Sequence, residues 1–310
     1  MPVLIFRSGS DRTQWWLETF RERAPEIEVR LWNEPGDVSE VTHALVWDPE
    51  PGILAKMPNL KLIISLGAGV DHILDQVDRP PHVPVARLVD PGLKIGMVEY
   101  VVYNVLRFHR RMPDYRQQQE KQLWIERYQT LPSERRVGIL GLGEIGVACA
   151  QALIALGFDV LGWSRTKKDI HKVGCFYGDE ALKAFLGQSE ILICLLPLTP
   201  ETNGILGKIH LAALPAGAYL INAGRGAHVI EADLLEALGS GHIAGAALDV
   251  FQTEPLPKGH PLWSHANVTV TPHIAALTLP TTAGPVIADI VHAAQAGKPI
   301  PHRVNAKRGY

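Results

Sequence analysis

An α/β fold is predicted, with a doubly wound parallel sheet in one domain and a second, smaller α/β domain built from both ends of the chain. Three observations predict it. Short apolar runs alternate with helical or turn segments over the first hundred residues; a second series of such runs opens near residue 136; and a helical stretch follows the last run, after His273. Continuous apolar runs of this length, separated by helices, are the pattern of parallel strands covered on both faces.

The elements follow in order. "VLIF" (3–6), "HALVWD" (43–48), "LKLIISLGAGVD" (60–71) and "VPVARL" (83–88) read as strands of the first domain. From about Gly96, "GMVEYVVYNVLRFHRRMPDYRQQQE" reads as one long helix, because no Gly or Pro interrupts it before Pro113. Six further strands are expected at 136–140, 159–164, 190–197, 218–224, 244–251 and 267–273. The segments "VACAQALIALG", "ALKAFLG" and "EADLLEALGSG" lie between them as helices, giving repeated βαβ units. The stretch "AALTLPTTAGPVIADIVHAAQAGKPI" would return the chain to the first domain. The expected division is therefore 1–95 with 277–310 as the smaller domain and 96–276 as the doubly wound one.

A chain of 310 residues has room for two domains, each with its own core. Hydrophobic residues at 46% and charged residues at 20% match a globular protein and exclude a disordered or fibrous one. With 30 basic against 32 acidic residues there is no global field to draw nucleic acid or an anionic membrane, so any anion binding must be local. Cys149, Cys175 and Cys194 are odd in number and lack metal-ligand spacing, so neither a disulfide framework nor a metal site is expected. No apolar stretch reaches membrane-spanning length, and the N-terminal run is too short for a signal segment. A reducing, cytoplasmic location is expected.

Gly141-Leu142-Gly143-Glu144-Ile145-Gly146 matches G-x-G-x-x-G, follows an apolar strand and opens a helix. That order, rather than the glycines alone, is the Rossmann dinucleotide fingerprint. Gly141 permits the tight turn, Gly143 lets backbone approach a pyrophosphate, and Gly146 allows close packing, with the helix N-terminus facing the anion. At the end of the next strand an acidic residue would bind the ribose hydroxyls of NAD. Asp159 stands at the start of that strand, and its end instead carries Ser164, Arg165, Thr166, Lys167 and Lys168. Ser164, Arg165, Thr166 and Lys168 offer the hydroxyl and cationic donors that suit the 2′-phosphate of NADP. NADPH preference is expected; the alternative is a solvated basic turn.

Three polar residues lie just beyond expected strand ends, where ligands bind in open parallel sheets. Arg225 sits between two glycines, so its planar guanidinium is free to approach a carboxylate for a bidentate pair; capping a helix or pairing with a surface acid is the alternative. Glu254 follows "LDVFQT" and His273 ends "VTVTPH". A histidine there is more often structural, and it gains a chemical purpose beside Arg225, Glu254 and a nicotinamide. In the first domain, Leu66-Gly67-Ala68-Gly69-Val70-Asp71 follows a strand, and its glycines bare successive N–H groups that form an anion-binding concavity. A plain strand-to-helix turn is the alternative. Trp47 is read as a wall of the substrate pocket, or else as a core tryptophan.

"GILGLGEIG", "LLPLTPETNGIL", "LINAGRGAHV", "GAALDVFQTEPLP" and "NVTVTPHIAALT", in this order and spacing, resemble the D-2-hydroxyacid dehydrogenase family. "SLGAGVDHIL" and the terminal Arg308-Gly309-Tyr310 extend the resemblance over nearly the whole chain. "WSRTKK", Trp47 and the short C-terminus resemble the glyoxylate/hydroxypyruvate reductase A subgroup. The resemblance implies a flavodoxin-like smaller domain. It implies that Arg225 binds the carboxylate of the substrate, sharing it with Ala68 and Gly69, and that His273 protonates the 2-keto oxygen as hydride arrives. Glu254 would orient the imidazole and favour its protonated form. Asp249 and the Ala223 carbonyl would lie near the nicotinamide, and Leu195 and Pro197 near the adenosine half. A homodimer is implied as well, with Tyr100, Tyr103, Phe108, Tyr115 and Trp124 offered either to a second subunit or to this chain's own packing. No catalytic role is assigned to Glu99 or Asn104.

The expected function is NADPH-dependent reduction of small 2-keto acids such as glyoxylate and hydroxypyruvate. Two alternatives stand beside it: a reductase of bulkier 2-keto acids such as phenylpyruvate, and a catalytically silent cofactor-sensing protein.

Overall fold

The computed structural model describes residues 2–6, 13–305 and 309, so Arg308 and Tyr310 of the terminal motif lie outside the described residues. The chain divides into two compact units, Met1–Leu93 with Leu277–Tyr310, and Lys94–Ala276.

The first unit holds a five-stranded sheet of β1 (Val3–Phe6), β2 (Glu28–Leu31), β3 (His43–Val46), β4 (Leu62–Ser65) and β5 (Val85–Ala86), all pairs parallel, in the order β2-β1-β3-β4-β5. That is the flavodoxin-like order. Every residue of β1, β3 and β4 is buried, as their unbroken apolar runs require. Strand β2 escaped the sequence reading. It lies at the sheet edge, each of its four residues is only partly buried, and Arg30 pairs with Glu28 and Glu40, each at 2.6 Å. A charged edge strand carries no apolar run to recognise. The C-terminal helix Pro280–Gln295 packs on helix Thr13–Arg23, where Gly284 comes so close to Thr19 that a Cβ would stand 2.7 Å from its methyl group.

The second unit holds β6 (Arg136–Leu140), β7 (Asp159–Ser164), β8 (Val173–Tyr177), β9 (Ile191–Cys194), β10 (Ala218–Asn222), β11 (Ile243–Leu248) and β12 (Val268–Val270) in one parallel sheet, ordered β12-β11-β10-β9-β6-β7-β8. The chain winds outward in both directions from the β6/β9 pair, which is the topological switch point where such sheets bind ligands. Each strand has two faces. Val137 and Ile139 of β6 pack with Met97, Val101, Val105, Cys149 and Leu153, while Leu140 packs on the other side with Phe185, Leu192 and Leu220. Strand β8, at the opposite edge from β12, is half exposed and also escaped the sequence reading; it carries no charge, and its short run is broken by Gly174.

The expected single long helix is two. The first runs Pro91–His109, begun earlier than expected because Asp90 accepts the Gly92 N–H at 2.9 Å and Pro91 starts the first turn. It stops where Arg111 adopts φ 57°, and Met112–Glu120 restarts with Pro113 in its first turn. No helix among the described residues is long and apolar enough to cross a membrane.

Candidate active site

β6 delivers the chain into Gly141 at φ 106°, a conformation open to a residue without Cβ, and the Gly141 N–H bonds the Trp163 carbonyl of β7 at 2.9 Å. A Cβ on Gly146 would stand 1.9 Å from the Gly141 carbonyl oxygen, so helix Glu144–Ala155 closes on its own turn only with glycine there. On Gly143, the residue before that helix, a Cβ would meet nothing within 4 Å. The space in front of the helix N-terminus is thus open where unbonded first-turn N–H groups and the helix dipole favour an anion. The turn fits the pyrophosphate of a dinucleotide. Glu144 and Ile145 line it by their backbone, since the Glu144 carboxylate pairs with Lys94 at 2.8 Å and Ile145 packs on the core.

Leu195 and Pro197 follow β9 across the switch point. A Cβ on Gly141 would meet the Leu195 carbonyl oxygen at 2.7 Å, and the Leu195 N–H bonds Leu140 O at 2.8 Å. Ser164 ends β7 buried, with its hydroxyl donating to the Thr166 carbonyl at 2.8 Å, so it shapes the turn that exposes Arg165, Thr166, Lys167 and Lys168. Asp159 is at the far end of β7, 3.3 Å from Arg136. One acid near the patch escaped the sequence reading: the Thr199 hydroxyl, with help from the Arg165 charge, holds the exposed Glu201 carboxyl below its ordinary value.

The reactive residues meet at the ends of β10, β11 and β12. His273 stands at φ 55°, and its Nδ1 lies 2.8 Å from Glu254 Oε2. The other oxygen, Oε1, accepts the Phe251 N–H at 2.9 Å. Partial burial raises the Glu254 carboxyl, but the hydrogen bonds from His273 and Phe251 and the charges of His273 and Arg225 outweigh it, leaving a net downward shift. Glu254 is therefore a carboxylate at neutral pH, and Arg225 is near enough to act on it.

Two contacts hold Arg225 that the sequence reading did not find. Fully buried Asn222 donates through Nδ2 to the Arg225 carbonyl at 3.0 Å and accepts the Gly224 N–H at 3.2 Å. Gly226 lies against Phe251 so closely that a Cβ would fall 1.8 Å from its carbonyl carbon, pressing the Arg225 loop onto the loop that carries Glu254. The Arg225 guanidinium itself bonds the Gly224 carbonyl at 2.8 Å.

Asp249, expected beside the nicotinamide, is committed to hydrogen bonds within the chain. Its carboxylate is buried and accepts the Thr271 hydroxyl at 2.6 Å, the Ile274 N–H at 2.9 Å and the Ala275 N–H at 2.8 Å, while its carbonyl accepts the His273 N–H at 2.9 Å. It builds the turn that holds His273 in its left-handed conformation. Tyr100 reaches Thr271 at 3.0 Å, and burial pushes its hydroxyl up to about 12, so it acts as a neutral donor. Ala223 is buried at the end of β10, its N–H on the Cys194 carbonyl at 3.3 Å.

In the first unit, Ser65 Oγ donates to the Gly69 carbonyl at 2.7 Å and accepts the Gly67 N–H at 3.3 Å, folding the loop back on itself. Neither the Ala68 nor the Gly69 N–H donates to an acceptor among the described residues, as an anion-binding loop requires. Trp47 is 37% exposed and lies over Gly67, where a Cβ would stand 2.7 Å from its ring, so it is not a core tryptophan.

Of the aromatic residues on or after the long helix, Phe108 is buried and stacks on Tyr219 at 4.5 Å, and Tyr100 is committed to Thr271; both pack within this chain. The Tyr115 hydroxyl accepts from the Arg127 N–H at 3.1 Å and so braces the segment that follows. Tyr103 is 63% and Trp124 97% exposed.

The comparisons agree with this geometry. The profile of the D-isomer specific 2-hydroxyacid dehydrogenase NAD binding domain matches residues 102–275. The glyoxylate/hydroxypyruvate reductase A of Yersinia enterocolitica is 44% identical over 99% of each chain. The D-isomer specific 2-hydroxyacid dehydrogenase of Xanthobacter autotrophicus, solved with NADPH and MES, superposes with a TM-score of 0.96 at 46% identity, covering 100% of this chain and 99% of that one. The NADPH-dependent glyoxylate/hydroxypyruvate reductase of Sinorhizobium meliloti, solved with NADP and sulfate, gives 0.94 at 36% identity with both chains fully covered. A glycine turn built for pyrophosphate, a histidine and carboxylate at the strand ends beside an arginine, and these matches over the whole length lead to one conclusion: the chain belongs to the D-isomer specific 2-hydroxyacid dehydrogenase family.

Proposed function

We propose that the protein reduces small 2-keto acids such as glyoxylate and hydroxypyruvate to 2-hydroxy acids with NADPH. The observation that carries the reading is the His273–Glu254 hydrogen bond, with Arg225 close enough to act on the same carboxylate. A bound nicotinamide supplies the hydride. Arg225 binds the substrate carboxylate through charge-assisted hydrogen bonds and draws electron density from the neighbouring keto group. His273, with Nδ1 held by Glu254, presents Nε2 to the keto oxygen and donates the proton that completes the hydroxyl. Glu254 keeps the ring oriented and offsets the positive charge it carries before transfer. Ala68 and Gly69 offer N–H groups to a carboxylate, and Trp47 stands at the same loop as a limit on substrate size.

The exposed cations Arg165 and Lys168 at the end of β7, with Ser164 and Thr166 in the turn, support the choice of NADPH, since β7 itself ends in Ser164 rather than in an acid. Two relatives solved with NADPH or NADP support the same choice. Leu195, Pro197, the Ala223 carbonyl and Asp249 are assigned to the remaining cofactor contacts, Asp249 by way of the turn it builds. A homodimer is the reading that accounts for Trp124, Tyr128 and Leu131, three large apolar residues exposed on one segment. Three free thiols suit a cytoplasmic, reducing location.

The test is NADPH oxidation against a panel of 2-keto acids. Turnover of glyoxylate and hydroxypyruvate ahead of phenylpyruvate supports the proposal. Faster turnover of phenylpyruvate moves the reading to bulkier substrates, and tight NADPH binding without turnover makes the protein a cofactor sensor.

A further inference from the structure

We propose that His228 is a positioning residue that couples the substrate-binding arginine to the cofactor loop. The inference rests on the reading of Arg225 as the carboxylate ligand and of the loop after β9 as part of the cofactor site.

His228 is fully buried in the turn that follows Arg225. Its Nδ1 accepts the backbone N–H of Arg225 at 3.1 Å, and its Nε2 lies 3.3 Å from the Pro197 carbonyl. A backbone N–H only donates and a carbonyl only accepts, so both bonds are made by one form of the ring: neutral, with its proton on Nε2. The ring lies against Gly224, where a Cβ would stand 3.0 Å from Nδ1, so a side chain at residue 224 would push it out of line. The segments it joins are already paired by backbone. The Leu206 N–H bonds the His228 carbonyl at 2.8 Å and the Gly204 N–H bonds the Ala227 carbonyl at 2.8 Å. Pro197 O also accepts the Thr202 hydroxyl at 2.7 Å, which fixes where the imidazole must reach.

The physical consequence is a rigid bridge. Arg225 and Pro197 stand at the ends of adjacent strands β10 and β9, and neither side chain sets the distance between them. The imidazole does, because it is buried, has two directional bonds on opposite sides of a planar ring, and has glycine beneath it. With that bridge in place, the backbone that carries the carboxylate ligand is in register with the loop assigned to the cofactor. Without it, each half retains its own backbone pairing but loses the common reference.

The experiment uses the two amides that each imitate one ring nitrogen. Asparagine places its oxygen where Nδ1 stands and retains the bond from the Arg225 N–H, but falls short of Pro197. Glutamine places its amide nitrogen where Nε2 stands and retains the bond to Pro197. A crossed result is expected: His228→Asn raises the NADPH KM and Kd about 3- to 10-fold with the keto-acid KM little changed, and His228→Gln does the reverse, a range set by the loss of one neutral hydrogen bond. NADPH Kd is read from quenching of protein fluorescence, without turnover. Equal shifts of both constants in both variants, or no shift in either, would overturn the proposal by reducing His228 to a packing residue. The wild-type ring is examined by neutron diffraction, which does not depend on any variant folding: a proton on Nε2 alone supports the bridge, and a proton on Nδ1 overturns it. Failure of the functional reading looks different, as a wild type that turns over no keto acid and an Arg225→Ala variant no worse than it.

Discussion

The Nδ1 atom of His273 and the Oε2 atom of Glu254 stand 2.8 Å apart, across nineteen residues of sequence and from a histidine at φ 55°. The Glu254 carboxyl sits below its ordinary value despite partial burial, so the partner of the imidazole is an anion. His273→Ala is expected to lower kcat by ~10²–10⁴-fold, the worth of a positioned general acid, with NADPH Kd unchanged. Glu254→Gln keeps a hydrogen-bonding group without the charge and is expected to lower kcat by less, about 10-fold or more. Steady-state kinetics with fluorescence titration of NADPH checks both, and unchanged turnover in His273→Ala removes it from the role.

Gly226 is the point where the Arg225 loop touches the Glu254 loop. Gly226→Ala would put a methyl group 1.8 Å from backbone that has no rotamer to yield. Overpacking of this kind costs about 1–3 kcal/mol or more, and here the displacement falls on the reactive residues. A lower unfolding midpoint together with a loss of kcat/KM is expected; a folded variant with wild-type kinetics would mean that the two loops are not held together at this contact.

Arg165→Ala removes the exposed cation nearest the end of β7. If it binds the 2′-phosphate, one charge-assisted hydrogen bond of about 1.5–3 kcal/mol is lost, which raises the NADPH KM by about 10-fold or more and leaves the NADH KM nearly unchanged. Equal effects on the two cofactors would assign Arg165 to the solvated turn.

Trp124 exposes nearly its whole surface on a segment with Tyr128 and Leu131. Trp124→Glu places a charge on that face and is expected to halve the mass seen by light scattering, from two chains to one. A monomeric wild type would sink the homodimer.

Acid sensitivity has a source away from the site. Burial, with a smaller part from the Lys61 charge, pushes the His43 imidazole of β3 down from 6.5 to about 4. The unfolded chain therefore binds a proton between these values that the folded protein does not. Stability is full above pH 6.5 and erodes as pH falls through that window, by about 2–4 kcal/mol in all. His43→Leu is expected to flatten this part of the curve, because it removes the titrating imidazole, while the Thr42 hydroxyl that now meets His43 Nδ1 at 2.8 Å keeps the Val3 carbonyl as an acceptor at 3.2 Å. Denaturant melts of both proteins at pH 7 and pH 4.5 test it; the same loss in both would place the sensitivity elsewhere.

Much of the fold was legible because its signals are local. Buried central strands such as β1, β4 and β9 require apolar runs, and the Gly141–Gly146 turn requires glycine where Cβ atoms would meet backbone. Strand β2 gave no such signal, since Glu28 and Arg30 interrupt its apolar residues, and β8 offered only a short half-exposed run broken by Gly174. The break at Arg111 was hidden too, because an arginine in the left-handed region leaves no mark in a pattern of apolar residues.

The same division runs through the site. Arg225, Glu254 and His273 were chosen from residue chemistry and position at strand ends, properties carried by a few neighbouring letters. Their supports were not visible in that way. Asn222 beneath the Arg225 carbonyl, Asp249 gathering the His273 turn from more than twenty residues away, Gly226 against Phe251 and His228 between Arg225 and Pro197 each act through a contact that exists only once β9, β10, β11 and β12 lie side by side. A residue type states what bonds a side chain is able to make; which partner it meets is set by packing, because a hydrogen bond acts over about 3 Å and the chain brings distant segments that close only when the core forms.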